Sequence, residues 1–122
     1  MAKTIMIVDD SASLRVVVGI ALKGAGYDVI EGCDGKDALS KLNGQKVHLI
    51  VSDVNMPNMD GITFVKAVKQ MASYKFTPIV MLTTESQDSK KKEGQEAGAK
   101  AWVLKPFKPE QLLGVVQKLV LP

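Results

Sequence analysis

Leu49-Ile50-Val51-Ser52-Asp53 holds a short apolar run, Leu49–Val51, predicted as a strand that the carboxylate of Asp53 follows. Three other stretches have the same form: Ile5-Met6-Ile7-Val8 before Asp9-Asp10, Ile79-Val80-Met81-Leu82 before Thr83, and Ala101-Trp102-Val103-Leu104 before Lys105. Runs so short and so continuously apolar fit strands covered on both faces, as in a parallel sheet with helices on each side. Asp28-Val29-Ile30-Glu31 alternates instead and predicts an edge strand. The intervening segments carry helical spacing. Leu14, Val17, Val18, Ala21 and Leu22 predict the buried face of a first helix, stopped by Gly24 and Gly26. Residues 34–42 predict a second helix, and Phe64, Val65, Val68 and Met71 stripe a third. Pro109 opens a last one, buried through Leu112, Leu113, Val116, Leu119 and Val120. From Glu85 to Glu96 there is no large apolar residue, and Gly94 interrupts the segment. A parallel crossover still needs a helix there, so it is expected to be the most exposed and least stable one. The alternation predicts one α/β domain over residues 1–122, with right-handed crossovers and no output domain.

A chain of 122 residues suits a single domain, and 46% hydrophobic with 24% charged residues excludes a disordered chain. The longest apolar runs are far too short to span a bilayer, and Ile5–Val8 ends on Asp9-Asp10 too soon for a secretory signal. A single cysteine, Cys33, excludes an internal disulfide and fits a reducing compartment, so a cytoplasmic monomer is expected. The net charge is +3, yet Arg15 is the lone arginine among sixteen basic residues. Readers of phosphates and base edges lean on arginine forks, which argues against a nucleic-acid partner, and nothing points to a membrane.

Function is legible at the strand ends. In an open α/β sheet, side chains at the carboxyl ends of the strands line the ligand crevice where strand order reverses. If the order is 2-1-3-4-5, strands one and three are neighbours there, and Asp9, Asp10 and Asp53 converge. Any one of them reads equally well as a turn or helix-capping residue. Three together repel one another, raise at least one pKa and suit a hard divalent cation such as Mg²⁺. Thr83 and Lys105 add a hydroxyl and an ammonium on the same edge. A carboxylate nucleophile, a metal site, a hydroxyl and an ammonium are the parts that phosphoryl transfer to aspartate needs.

The pieces Val8-Asp9-Asp10, Ser52-Asp53-Val54-Asn55-Met56-Pro57-Asn58-Met59-Asp60-Gly61, Leu82-Thr83-Thr84-Glu85 and Leu104-Lys105-Pro106-Phe107 are those of a known family. Over essentially its full length the chain resembles the receiver domain of two-component response regulators, above all the stand-alone CheY-type chemotaxis regulators. The resemblance implies a flavodoxin-like, CheY-like doubly wound sheet of five parallel strands in the order 2-1-3-4-5 with five helices, an order known for CheY itself. It implies a phosphorylation-activated switch in which Asp53 accepts a phosphoryl group from a sensor histidine kinase or a small-molecule donor. Asp10, Asp53 and the backbone carbonyl of Asn55 would ligate Mg²⁺, with Asp9 holding it through water. Lys105 would pair with the phosphoryl oxygens, Thr83 would move toward them, and a cis Lys105–Pro106 peptide is usual. Asn55 and Glu85 match positions that tune autodephosphorylation. Such a chain is a phosphoacceptor with self-catalysed transfer rather than an enzyme. Its signal would pass to a downstream protein through the face formed by helix four, strand five and helix five.

Two positions depart from the family pattern. Trp102 stands where the switch aromatic is often Tyr or Phe, and an indole is larger, so its burial should require more rearrangement. The simpler reading is an edge-strand residue covering the sheet. Lys90-Lys91-Lys92 and Gly94 replace a partly apolar patch on helix four, and lysines are depleted at interface cores. The output is therefore expected not to be tuned to the flagellar motor switch; phosphorylation-enhanced binding to that protein's N-terminal peptide would contradict this. The alternatives within the family are a phosphate sink and a non-flagellar receiver, for instance of pilus motility. Outside it, a Mg²⁺-dependent aspartyl phosphatase would carry Asp-x-Asp after one strand, and a flavin carrier would need a hydroxyl-rich phosphate loop where Asp9-Asp10 stands. His48 predicts a satisfied or exposed imidazole, Cys33 a small hydrophobe, and Met56 and Met59 loop packing. Val16 and Ile20 lie off the first helix's stripe as a potential contact surface.

Overall fold

The computed structural model describes residues 3–83 and 88–120, without the side chains of 88–91. Its elements run β1 (Thr4–Val8), α1 (Ala12–Gly24), β2 (Asp28–Gly32), α2 (Gly35–Lys41) and β3 (Leu49–Asp53). They continue as α3 (Gly61–Lys69), β4 (Ile79–Thr83), α4 (Asp88–Ala97), β5 (Ala101–Leu104) and α5 (Pro109–Leu119). The strands form one parallel sheet in the order β2-β1-β3-β4-β5, the expected order, with β2 and β5 at its edges.

Strand alternation divides the core in two. Ile5, Ile7, Leu49, Val51, Val80 and Leu82 face Val18 and Leu22 of α1 and Leu112 and Val116 of α5. Met6, Val8, Ile50 and Met81 face Ala38 of α2 and Phe64, Val65 and Val68 of α3. Covering both faces is what makes β1, β3 and β4 apolar without interruption.

Helix starts are set by short polar side chains that take up otherwise unpaired amides. Ser11 Oγ accepts from the Leu14 N–H (3.2 Å), Asp34 from Asp37 (2.8 Å) and Asp60 from Thr63 (2.8 Å). Pro109 stands in the first turn of α5, as its fixed φ suits. At the sheet's other end, the buried Tyr74 hydroxyl donates to the Gln45 carbonyl (2.7 Å) and accepts from the Gly44 N–H (2.9 Å), tying the loop before β3 to the one before β4. His48 is satisfied as expected: its Nδ1 accepts from the Thr4 N–H (3.0 Å), and burial, with Lys3 and Lys46 nearby, holds its pKa below the usual imidazole value.

Several residues sit otherwise than the periodicity predicts. Val17 is 52% exposed: α1 turns Val18 and Leu22 to the core, and this buried face is narrower than the apolar stripe. Cys33 is exposed rather than packed as a small hydrophobe, because it follows an edge strand; its N–H donates to Asp37 (2.9 Å) and its side chain also bonds that carboxylate. Met71 packs on the core from just beyond the end of α3. Gly94 does not interrupt α4, which runs through it, and the glycine itself is buried. Val16 and Ile20 are exposed, as expected. Among the described residues no helix is long and apolar enough to cross a membrane.

Candidate functional site

The carboxyl edge of the sheet brings the strand-end residues together. Val8 pairs with Ser52, so Asp9 and Asp53, one residue further on, lie level across neighbouring strands. Ligand oxygens of Asp9, Asp10 and Asp53 lie within 4.8 Å of one another, the one such cluster of three among the described residues. Asp9 is fully buried and Asp53 is 6% exposed, whereas Asp10 is exposed. Two strands away, Lys105 reaches back over the sheet. Its Nζ lies 3.2 Å from Asp9 Oδ2 and 3.2 Å from Asp53 Oδ1.

Electrostatics follow from this geometry. Burial, and then the Asp9 charge, push the Asp53 carboxyl above the ordinary aspartate value, while Lys105 pulls the other way. Burial works to lower the Lys105 ammonium, but the two carboxylates outweigh it and hold its pKa up. Lys105 is thus a fixed counter-charge between two acids. Asp53 Oδ1 also accepts from the Val54 N–H (2.9 Å), and Asp9 Oδ1 accepts from the Ser11 N–H (2.9 Å) at the start of α1. An oxygen-only donor set of this charge fits a hard divalent cation, which would relieve the repulsion that raises Asp53.

Thr83 is the last residue of β4 and is buried, and its carbonyl accepts from the Lys105 N–H (2.6 Å). Asp53 and Thr83 therefore end their strands rather than follow them. The Lys105–Pro106 peptide is cis. Asn55 is exposed in the loop after β3, and Glu85 lies outside the described residues. Trp102 is half-buried in the middle of β5.

Two supporting residues escaped the reading of the sequence. Arg15 donates to the Asp9 backbone carbonyl (2.5 Å) and pairs with Glu31 (3.1 Å), clamping the acidic turn from α1. Its standing as the lone arginine was the only signal. Asn58, at φ 68°, donates to Asp34 (2.8 Å) and ties the loop carrying Asn55 to the start of α2. Beside it Met59 packs on Gly35.

The family model for the response regulator receiver domain matches residues 5–117. The chain belongs to that family. Receiver domains are phosphoacceptors that interact with histidine kinases and bind Mg²⁺ in an acidic pocket. This receiver domain superposes on the chemotaxis response regulator CheY4 of Vibrio cholerae with a TM-score of 0.92, at 48% identity, over 98% of this chain and 99% of that one. It is 34% identical to Protein PilG of Pseudomonas aeruginosa over 113 residues, 93% of this chain and 84% of that protein. It is 38% identical to the alkaline phosphatase synthesis transcriptional regulatory protein PhoP of Bacillus subtilis, over 98% of this chain and 49% of that protein. The receiver domain thus spans about half the length of relatives of the PhoP and PhoB kind.

Proposed function

We propose that this receiver domain is the phosphorylation-activated switch of a chemotaxis-type two-component system, with Asp53 as its phosphoacceptor. The observation that carries this reading is one ammonium, Lys105 Nζ, 3.2 Å from oxygens of both Asp9 and Asp53, with Asp10 in the same cluster. Lys105 and the Val54 amide both engage Asp53 Oδ1, which supports Oδ2 as the nucleophile. Oδ2 attacks the phosphorus of a kinase phosphohistidine or a small acyl phosphate. An O–P bond forms to Asp53 as the donor's N–P or O–P bond breaks, and the bonding pair leaves with the donor.

Asp10, Asp53 and the Asn55 carbonyl would hold Mg²⁺ directly, with Asp9 holding it through water, and the bound ion supplies charge neutralisation at the phosphoryl oxygens. Lys105 turns from its two carboxylates to a phosphoryl oxygen, and the Thr83 hydroxyl donates to another. Asn55 and Glu85 tune the hydrolysis that resets the switch. Trp102, on the strand next to Thr83, carries the change to the α4–β5–α5 face, where a downstream protein binds. Moving such a domain from mostly off to mostly on takes about 5.5 kcal/mol of differential stabilisation. The similarity to CheY4 and PilG supports the chemotaxis type.

Acetyl phosphate with Mg²⁺ should label the protein to one phosphoryl group per chain, and Asp53→Asn should remain unlabelled under the same conditions. Equal labelling of the variant would defeat the assignment.

A further inference from the structure

Trp102 sits on the outer strand of the sheet and is in register with Met81 of β4. Its side chain packs on the α3–α4 side of the core, and its indole nitrogen is buried. Where the ring meets α4, the helix offers a glycine. A Cβ built on Gly94 would stand 3.5 Å from Trp102 Nε1, 3.8 Å from Trp102 Cζ2 and 3.8 Å from Met81 Cγ. Those are ordinary van der Waals distances for a methyl group, so a longer side chain would have to compete with the indole for room.

The backbone gives no reason for glycine at this position. Gly94 has no positive φ; that conformation belongs to Gly98, which closes the helix. The Gly94 carbonyl accepts from the Gly98 and Ala99 amides (3.1 and 2.9 Å), as a helical residue near the C-terminus does. Apart from proline, glycine is the poorest residue for a helix interior, and α4 has no large apolar side chain to offset it. With no conformational reason for it, the structural feature that sets this buried glycine apart is its contact with the indole. Trp102 also lines a second space, a cavity of about 340 Å³ shared with Leu104, Gln111 and Val115 between β5 and α5. About 150 Å³ suffices to take a benzene ring.

We propose that Gly94 is the positioning residue of the aromatic switch: its missing side chain forms the inner seat of the Trp102 indole, and the cavity over α5 is the outer one. The residue at 94 thereby sets how the indole divides between the two places and how the α4–β5–α5 face is shaped. The consequence for signalling rests on Trp102 being the switch aromatic; the seat itself does not.

Gly94→Leu tests this, since leucine favours helix more than glycine and a lost seat is not confused with a lost helix. Its tryptophan emission should shift to the red, and acrylamide quenching should rise on the order of twofold, as the ring passes from half-buried to exposed. Gly94→Ala should keep the wild-type spectrum. Adding Trp102→Phe to Gly94→Leu should recover the melting temperature that Gly94→Leu alone loses, which a helix defect would not allow. Unchanged emission and quenching in Gly94→Leu overturn the proposal. Should that variant fail to fold, the double variant decides, supporting the seat if it folds and refuting it if it does not. Beryllofluoride with Mg²⁺ should change the wild-type emission and change it less in Gly94→Leu. A wild type that does not respond, beside a Gly94→Leu spectrum already shifted without beryllofluoride, would leave the seat standing and remove Trp102 from the switch.

Discussion

Gly61→Ala is expected to lose more than about 3 kcal/mol of stability, and with it the phosphoacceptor geometry. A Cβ at Gly61 would lie 2.0 Å from the Asp53 carbonyl oxygen and 2.9 Å from Val54 Cα, both backbone atoms. Neither can withdraw, because the Val54 carbonyl accepts from the Gly61 N–H at 2.7 Å and the Val54 N–H donates to the Leu82 carbonyl at 3.3 Å. The collision therefore acts on the end of β3 itself, where Asp53 sits. Two other glycines give the scale. At Gly35 the added methyl would meet the Met59 side chain at 2.9 Å, which can move aside, so a smaller loss is expected. Nothing lies within 4 Å of a Cβ on Gly19 in the middle of α1, and Gly19→Ala should gain about 1 kcal/mol from helix propensity. Denaturant unfolding of the three variants checks the ranking; a Gly61→Ala protein as stable as wild type would contradict it.

Lys105→Met removes the ammonium and keeps most of the side-chain volume. Phosphorylation by acetyl phosphate should slow by about 10²–10³, the usual cost of losing one preorganised charge donor at a developing anion. The same change leaves Asp9 and Asp53 facing each other without their counter-charge, so the Asp53 carboxyl, already raised by burial and by Asp9, should rise further. A carboxyl whose folded pKa exceeds its unfolded value contributes stability below the unfolded value, and that contribution is lost as pH rises through the folded one. The variant should therefore fall furthest behind wild type at neutral pH and close the gap as the solution is acidified toward the aspartate range, where a proton replaces the ammonium. Melting temperatures across pH for both proteins test this, and a deficit independent of pH would show that Lys105 stabilises by packing alone.

How far the molecule could be read in advance depended on whether a feature was local. The apolar runs ending on Asp53, Asp9-Asp10, Thr83 and Lys105 specify both strands and strand ends, since a strand buried on two faces must change character where it meets the crevice. Once β1 and β3 are neighbours, convergence of the three carboxylates follows from chain geometry. Long-range side-chain contacts leave no periodic trace. The Arg15 clamp on Asp9, the Asn58–Asp34 tie and the contact between Gly94 and Trp102 each join residues from different elements, and each needed coordinates. Val17 was misplaced for a related reason: helical spacing defines a stripe but not how much of it the neighbouring elements cover. The same contact bears on Trp102, whose indole meets α4 at a glycine eight positions earlier.

On the proposed reading Asp53, among three clustered aspartates, alone takes the phosphoryl group. Borohydride reduction of the freshly phosphorylated protein, followed by sequencing of the tryptic fragments, locates the acyl phosphate directly. Reduction is expected at Asp53, within residues 47–66, with Asp9, Asp10 and Asp60 unmodified. Reduction at Asp9 or Asp10, or a label carried on His48 instead of a carboxylate, would contradict it.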